Sequence, residues 1–356
     1  MPIIAHNDLP TYDRLKKEGI NILSHKDAIH QDIRELHIGL LNMMPDAALM
    51  ATERQFFYLV SSSNKIAQFY VHPFTLPQIP RNLQTKEHIK KYYDTFDGIK
   101  KQGLDALIIT GAYVKEKNLK DEIFWKPLID VINWASKNVT STLCSCLATH
   151  ALLQFKYGLK RKPLPKKKWG VYGHYVCKPH PLVRSINTKF EVPHSRFNQV
   201  DKEQILEKNL HILVESKKAG VHLATSKDGF KFIFFQGHPE YEKISLLKEY
   251  KRECSEYFLN NRKTYPKFLK NYFNRQQKYI LKEYKKNLKN AKLKKQKMPE
   301  FPEKIIAKCL HNTWHDSAIA VIGNWIGHVY QLTGKNRHEP YMDGVDPSNP
   351  LKLDYV

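Results

Sequence analysis

The chain has 356 residues, of which 42% are hydrophobic and 12% aromatic, and this composition excludes an intrinsically disordered protein. Its 58 Lys and Arg outnumber its 35 Asp and Glu, and the formal net charge of +23 is typical of a nucleic-acid-binding protein. The N-terminus lacks a secretory pattern, no apolar run is long enough to cross a membrane, and the five cysteines form no disulfide-like framework. We therefore expect a cytoplasmic protein without a membrane partner.

Residues 1–250 alternate strand-like apolar runs with helical patterns. In chain order they predict a strand at 36–42, a helix at 47–60 with Asp46 as its N-cap, strands at 66–71 and 105–110, a helix at 123–137, a strand at 139–145 and a helix at 147–155. Three short β runs follow at 212–215, 221–225 and 232–235, and then helices at 246–258 and 317–332. This alternation is typical of a doubly wound α/β fold with a mostly parallel sheet.

More than half of the net charge lies in one segment, because residues 243–297 contain 18 Lys and Arg against four Glu. Apolar residues are sparse between 279 and 297, so we interpret the segment as a solvated helix or helical hairpin with a basic face. A second basic cluster lies at 160–168. Neither cluster matches a nucleic-acid fold signature, so nucleic acid is not the predicted partner. Binding of an anionic substrate, or added binding of nucleic acid or another anionic surface, remains an alternative for this charge.

The strand at 139–145 runs directly into a helix, and Cys146 stands at the turn between them. A thiolate at this position faces the helix N-terminus, whose partial positive charge and free N–H groups stabilise it. The same N–H groups can hold an oxyanion. Cys144 is the competing candidate, but it lies inside the strand and lacks the helix terminus. Cys146 is therefore the predicted nucleophile.

A second strand end, at Gly237, is followed by His238, Pro239 and Glu240. Pro239 biases His238 toward an extended conformation, in which residues two apart face the same way. Glu240 can then orient the imidazole or hold its charged form. Together with Cys146, these residues predict a nucleophile, a general base and an orienting acid.

A metal site is not predicted. His174, Cys177 and His180 are spaced by three along an extended pattern, which would alternate their faces. The sequence also lacks HExxH, a pair of CxxC motifs, a P-loop and GxGxxG.

A cysteine at a strand-to-helix turn with a later His-x-Glu resembles the class I glutamine amidotransferase-like, flavodoxin-like fold. A closer resemblance runs through most of the chain, because six motifs follow in order those of the homoserine O-succinyltransferase family. They are HQDIRELHIGLLNMMP (30–45), LIITGA (107–112), VTSTL (139–143), PHSR (193–196), GHPEY (237–241) and NW…VYQ (324–331). Residues 260–310 carry none of them.

The resemblance divides the chain into three parts. Residues 1–259 would form an amidotransferase-like acyltransferase core, 260–310 a basic helical insertion, and 311–356 a C-terminal helix that packs on the core, followed by a tail. We also expect a homodimer.

The resemblance implies an enzyme that moves a succinyl group from succinyl-coenzyme A to the hydroxyl of L-homoserine, the first committed step of methionine biosynthesis. The reaction would be ping-pong through a thioester on Cys146, with His238 as general base and Glu240 as its orienting partner. No cofactor would be bound, and the acyl-coenzyme A would be a co-substrate.

By position in the family's motifs, three further residues would contact substrate: Lys167, Ser195 and Arg252. Arg252 suits the homoserine carboxylate through a bidentate fork.

The family residue that sorts acyl donors corresponds to Lys115. A lysine there would attract the free carboxylate of a succinyl group, whereas a glutamate, which accompanies acetyl donors, would repel it. We therefore expect succinyl-coenzyme A as the donor. The alternatives are acetyl-coenzyme A as donor, L-serine as acceptor, since one methylene is worth only about 1–3 kcal/mol, or glutamine hydrolysis of the amidotransferase type.

Overall fold

A computed structural model describes residues 3–20, 22–28, 34–63 and 67–354. Within this part, the strands β1 to β11 span Ile3–Ala5, Ile22–Ser24, Glu35–Leu41, Gln68–Phe74, Ala106–Ile109, Ser141–Ser145, Lys162–Val176, Lys189–Gln199, His211–Ser216, Gly220–Thr225 and Phe232–Phe235. The α-helices α1 to α12 span Pro10–Lys17, His25–Ala28, Asp46–Ser63, Leu83–Tyr92, Phe96–Gln102, Trp125–Asn138, Leu147–Tyr157, Lys202–Glu207, Ser245–Phe258, Arg275–Leu293, Glu303–Lys308 and His315–Leu332. None of the helices described is both long and apolar enough to cross a bilayer.

The described strands form one sheet in the order β2-β1-β4-β3-β5-β6-β11-β10-β9-β7-β8. The pairs from β2 through β11 are parallel, and the four remaining pairs, from β11 to β8, are antiparallel. Because parallel strands end at one edge of a sheet, the loops after β3, β5, β6 and β11 come together there.

The central strands β5, β6 and β11 are buried throughout because helices cover both faces of the sheet. On one face α1, α3 and α12 pack against the sheet, with Phe56 and Trp325 fully buried beside Ile108 of β5. On the other face α6 and α7 pack with Leu128 and Leu152 against alternate residues of the same strands. The predicted doubly wound α/β fold with a mostly parallel sheet is confirmed.

The predicted elements of the core match those of the structure to within a few residues. The predicted helix at 147–155 spans Leu147–Tyr157, and the three late β runs are β9, β10 and β11. Residues 30–33 of the first motif and Ile66 of the predicted strand at 66–71 lie outside the described residues. Asp46 is the first residue of α3, and its carboxylate accepts a hydrogen bond from the Asn82 N–H at 2.8 Å instead of capping the helix.

The basic segment is less solvated than its composition indicates. One face of α10 is buried, with Leu281 and Leu288 fully excluded from solvent, and it forms a third core with α9 and α11 around Tyr250. The expectation of a merely solvated helix was wrong because few apolar residues suffice when they recur every three to four positions. The boundaries at 259 and 310 stay a prediction.

The segment is also joined to the sheet through main-chain hydrogen bonds. The Lys270 N–H donates to the Trp169 carbonyl at 2.9 Å, and the Val171 N–H donates to the Lys270 carbonyl at 2.8 Å. Gly170 stands between them with φ 137°, where a side chain would collide with the Lys270 backbone. Residues 260–310 therefore support β7 at this point.

Truncation of Leu281 tests whether α10 is part of the folded core. Because Leu281 is fully buried, we expect Leu281→Ala to lower the free energy of unfolding by about 2–5 kcal/mol. The neighbouring Lys282 is exposed, and Lys282→Ala should change that free energy by less than about 0.5 kcal/mol. Urea unfolding of both variants measures the difference, and equal midpoints would contradict the burial of α10.

Candidate active site

Cys146 forms a tight turn between β6 and α7. Its backbone has φ 52° and ψ −105°, a conformation that non-glycine residues adopt rarely and that clusters at functional sites. The Cys146 N–H donates to the Phe235 carbonyl of β11 at 2.8 Å, and the Thr149 hydroxyl donates to the Cys144 and Phe235 carbonyls at 2.8 and 2.9 Å. These bonds hold the turn so that a half-buried thiol lies at the N-terminus of α7.

Two neighbouring strand ends surround this thiol. Gly111 follows β5, and Met44 follows β3. A Cβ placed on Gly111 would lie 3.8 Å from the Cys146 Cβ and 3.5 Å from the Met44 sulfur. Glycine at 111 thus leaves open space beside the thiol. The competing Cys144 lies inside β6, and complete burial raises the pKa of its thiol far above the usual range. Of these two cysteines, the one at the edge is Cys146.

The loop after β11 brings a histidine and a carboxylate to the same edge. His238 Nδ1 lies 2.8 Å from Glu240 Oε1, so an N–H at Nδ1 donates to the carboxylate. His238 Nε2 is buried and has no hydrogen-bond partner within the described residues. Burial alone would lower the pKa of His238, but the Glu240 carboxylate and the neighbouring Cys146 raise it well above its usual value. The arrangement favours the imidazolium form of His238 beside Cys146.

A buried carboxylate that sequence analysis missed lies behind His238. The Tyr241 ring stacks on the His238 ring at 4.3 Å between centroids, and the Tyr241 hydroxyl donates to Glu249 Oε1 at 2.7 Å. Glu249 Oε2 accepts from the Ser195 hydroxyl at 2.6 Å and from the Trp169 indole N–H at 2.9 Å. Glu249 therefore connects α9 to β7, to β8 and to the His238 loop.

Glu249 stays ionised in spite of its burial. Burial raises the pKa of this carboxyl, but the Lys167 ammonium at 3.4 Å and the Ser195 and Tyr241 hydroxyls outweigh it, so the pKa lies below its usual value. A signal for Glu249 is present in the sequence, since it stands three residues after Leu246 and one before Tyr250, on the buried face of α9.

The structure brings two of the three predicted substrate contacts together. Lys167 and Ser195 both bind Glu249, and the Lys167 ammonium lies 4.3 Å from the Trp169 ring centroid. Arg252 lies one helical turn after Glu249, exposed, with no ion pair or hydrogen bond to a described residue. Lys115 is exposed on the loop that begins at Gly111, and its backbone N–H donates to Glu122 Oε1 at 2.7 Å.

The residues weighed as metal ligands do not converge. His174 Nε2 lies 3.2 Å from His194 Nε2, whereas the Cys177 thiol is exposed and His180 Nδ1 accepts from the Leu182 N–H. Burial lowers the pKa of His174 to about 4, so its imidazole is neutral at pH 7. No group of three His, Cys, Asp or Glu in the described part of the chain is arranged to hold a metal ion.

The sequence of the chain matches a known protein family and several of its members. The model of the family homoserine O-succinyltransferase matches residues 2–335, a range that includes 260–310. The chain is 58% identical over 354 residues to a homoserine O-succinyltransferase of Allochromatium vinosum and 55% identical over 354 residues to one of Nitrosococcus oceani, with 99% of both chains covered in each case. A homoserine O-succinyltransferase of Cardiobacterium hominis is 46% identical over 352 residues, with 99% of both chains covered.

Solved structures similar to this chain include glutamine amidotransferases. One from Thermotoga maritima has a TM-score of 0.45 and 10% identity, and the match covers 83% of this chain and 98% of that one. One from Methylobacillus flagellatus has a TM-score of 0.45 and 11% identity, covering 83% and 95%.

The geometry predicts that Cys146 is the cysteine most reactive at neutral pH. At pH 7 we expect iodoacetamide to alkylate Cys146 at least about 10-fold faster than Cys177, because desolvation and the Glu215 carboxylate raise the pKa of the Cys177 thiol to about 11. The buried Cys144 should not react in the folded protein. Replacing His238 by Asn removes the base beside the Cys146 thiol and should abolish the advantage of Cys146.

Peptide mass spectrometry over a time course gives the three rates in one sample. Equal rates at Cys146 and Cys177 in the unsubstituted protein would contradict the activation of Cys146 by His238.

Proposed function

Because the chain belongs to the homoserine O-succinyltransferase family, we propose that it transfers a succinyl group from succinyl-coenzyme A to the hydroxyl of L-homoserine through a thioester on Cys146. It is an enzyme, an acyltransferase of methionine biosynthesis. The observation that carries the proposed route is the buried His238 Nε2, which has no hydrogen-bond partner in the described structure, beside the thiol of a strained turn.

The first half-reaction acylates the enzyme. His238 takes the proton of Cys146, and the thiolate attacks the thioester carbonyl of the donor. Backbone N–H groups at the start of α7, beginning with Leu147, face the oxygen that becomes negative. The intermediate collapses, coenzyme A leaves as a thiolate, and His238 returns the proton to it.

The second half-reaction uses the same base to move the acyl group from Cys146 to the acceptor. A hydroxyl is a poor nucleophile at neutral pH, so His238 removes the proton of the homoserine hydroxyl as its oxygen attacks the acyl-thioester. The Cys146 thiolate is expelled and the ester is released. Glu240 on Nδ1 stabilises the imidazolium in both halves and fixes the ring so that Nε2 faces the thiol.

The acceptor would bind between the His238 loop and α9. Arg252 is an exposed guanidinium without an ion pair among the described residues, and it suits the homoserine carboxylate. Lys167 and Ser195 approach the site from β7 and β8, and Glu249 holds both in place. Glu249 is thus a positioning residue for two proposed substrate contacts.

Lys115 supports the choice of donor. It stands four residues after Gly111, on the loop that begins beside the Cys146 thiol. Its ammonium is exposed and has no partner in the part of the structure described. A succinyl group ends in a carboxylate, whereas an acetyl group has no charge. A lysine near the bound acyl group therefore favours succinyl through charge attraction.

Incubation with a donor and no acceptor tests the acyl-enzyme. We expect succinyl-coenzyme A to add one succinyl group to the Cys146 peptide, and Cys146→Ala to lose both this adduct and at least about 10³-fold in activity. Cys144→Ala is the matched control, and it should keep the adduct. Intact-protein and peptide mass spectrometry identify the site. An adduct that persists in Cys146→Ala would exclude the proposed nucleophile.

Charge reversal at Lys115 tests the donor. Lys115→Glu should shift the ratio of kcat/KM for succinyl-coenzyme A over acetyl-coenzyme A toward acetyl by about 10-fold or more, because the new carboxylate repels that of succinyl. Lys126→Glu, at an exposed position on α6, introduces the same charge change and should leave the ratio unaltered. Steady-state rates with both donors decide the question, and an unsubstituted enzyme that prefers acetyl-coenzyme A would contradict the assignment.

A further inference from the structure

A basic cleft lies beside the loop that carries Lys115. It encloses a volume of about 390 Å³, within the range of small-molecule sites. The polar and charged side chains that line it are Lys117, Asn118, Lys120, Gln154, Lys160 and Arg161. Four of these six are cationic and none is acidic, so the cleft suits a ligand with several negative charges.

The cleft is held in shape by the fold. The Arg161 guanidinium donates to the Glu116 and Lys117 carbonyls at 3.4 and 3.3 Å, which fixes the loop against β7. The Gln154 amide donates to Asn118 Oδ1 at 3.4 Å, which ties the loop to α7.

The buried acid Glu122 is not part of the wall of the cleft. Glu122 Oε1 accepts the backbone N–H groups of Lys115 and Glu116, both at 2.7 Å, so its charge stabilises the loop from beneath.

The same loop links the cleft to the nucleophile. It begins at Gly111, whose Cα faces Cys146, and reaches the cleft at Lys117 six residues later. Six residues of chain span at most ~22 Å, so the cleft lies within that distance of the residue beside the thiol. Burial lowers the pKa of Arg161, whereas Glu122 and, to a smaller extent, Cys146 raise it. Lys115 lies on this path between the two.

We propose that this cleft binds the phosphate groups of the coenzyme A portion of the acyl donor, an assignment that rests on the proposed acyl transfer. The donor has its reactive thioester at one end of a long pantetheine arm and its phosphates at the other. With the thioester at Cys146, the acyl carboxylate approaches Lys115 and the arm follows the loop to the four cations. Arginine and lysine together provide a forked donor and mobile point charges for phosphate oxygens.

Calorimetry with free coenzyme A tests the cleft directly. The variant Lys117→Ala/Lys120→Ala/Lys160→Ala removes three exposed cations and leaves Arg161, which supports the loop. We expect its Kd for coenzyme A to rise at least about 10-fold. The control Lys282→Ala/Lys286→Ala/Lys289→Ala removes the same charge from the exposed face of α10 and should bind as the unsubstituted protein does. Equal affinities of the two variants would overturn the proposal.

Kinetics separate phosphate recognition from a general loss of function. In the cleft variant the KM for succinyl-coenzyme A should rise at least about 10-fold with little change in kcat, whereas the KM for homoserine and for succinyl-pantetheine, which lacks phosphates, should not change. A rise that is equal for both thioesters would overturn the assignment.

The two proposals fail in different ways. If the unsubstituted protein acylates no homoserine, the proposed function fails, and cleft-dependent binding of coenzyme A still decides the cleft. If acyl transfer proceeds but coenzyme A binding is the same in the cleft variant, only the cleft assignment fails. A DNA oligonucleotide that loses binding in the cleft variant, with coenzyme A binding unchanged, would also overturn it.

Discussion

The largely buried carboxylate of Glu249 is the interaction on which the candidate site depends. A carboxylate cannot be buried as an ion unless charge and hydrogen bonds compensate it. Here the compensation comes from several elements: Lys167 and Trp169 of β7, Ser195 of β8 and Tyr241 of the loop after β11. Displacing any one of these elements would leave the charge under-compensated. The carboxylate therefore fixes the position of the hairpin of β7 and β8 relative to the loop that carries His238.

The hairpin of β7 and β8 needs support of its own because it lies at the antiparallel end of the sheet. Trp169 pairs with Ser195 across the hairpin, and the Lys270 backbone pairs with β7 on either side of Gly170. Lys270 belongs to the basic segment, whose buried face packs on α9, the helix of Glu249. The segment that looked peripheral from its composition thus contacts both the helix that carries Glu249 and the strand that carries Trp169.

Much of the core could be predicted because its signals are local. Apolar runs that end at Gly111, Cys146 and Gly237 become parallel strands, and their ends meet at one edge without any knowledge of register. The hairpin could not be predicted in this way, since β7 is rich in lysine and contains two prolines, and its pairing depends on partners 14 to 37 residues away. Glu249 was missed for a related reason. A charged residue on a buried helix face has no local rationale until the donors around it are known.

The location of the charge explains why net charge alone does not identify the partner. On α10 the lysines occupy the solvent face of a helix whose other face is buried, and such residues keep a helix soluble without forming a site. Lys167 is used inside the protein, where it balances Glu249. The lysines beside Arg161 differ from both groups because they converge on a cleft that has shape and no acidic side chain in its wall. Positive charge spread over a whole surface attracts any anion and gives only non-specific binding. Cations that converge on one cleft, at a fixed distance from Cys146, can instead select a ligand whose negative charges lie at the matching distance from its reactive carbon.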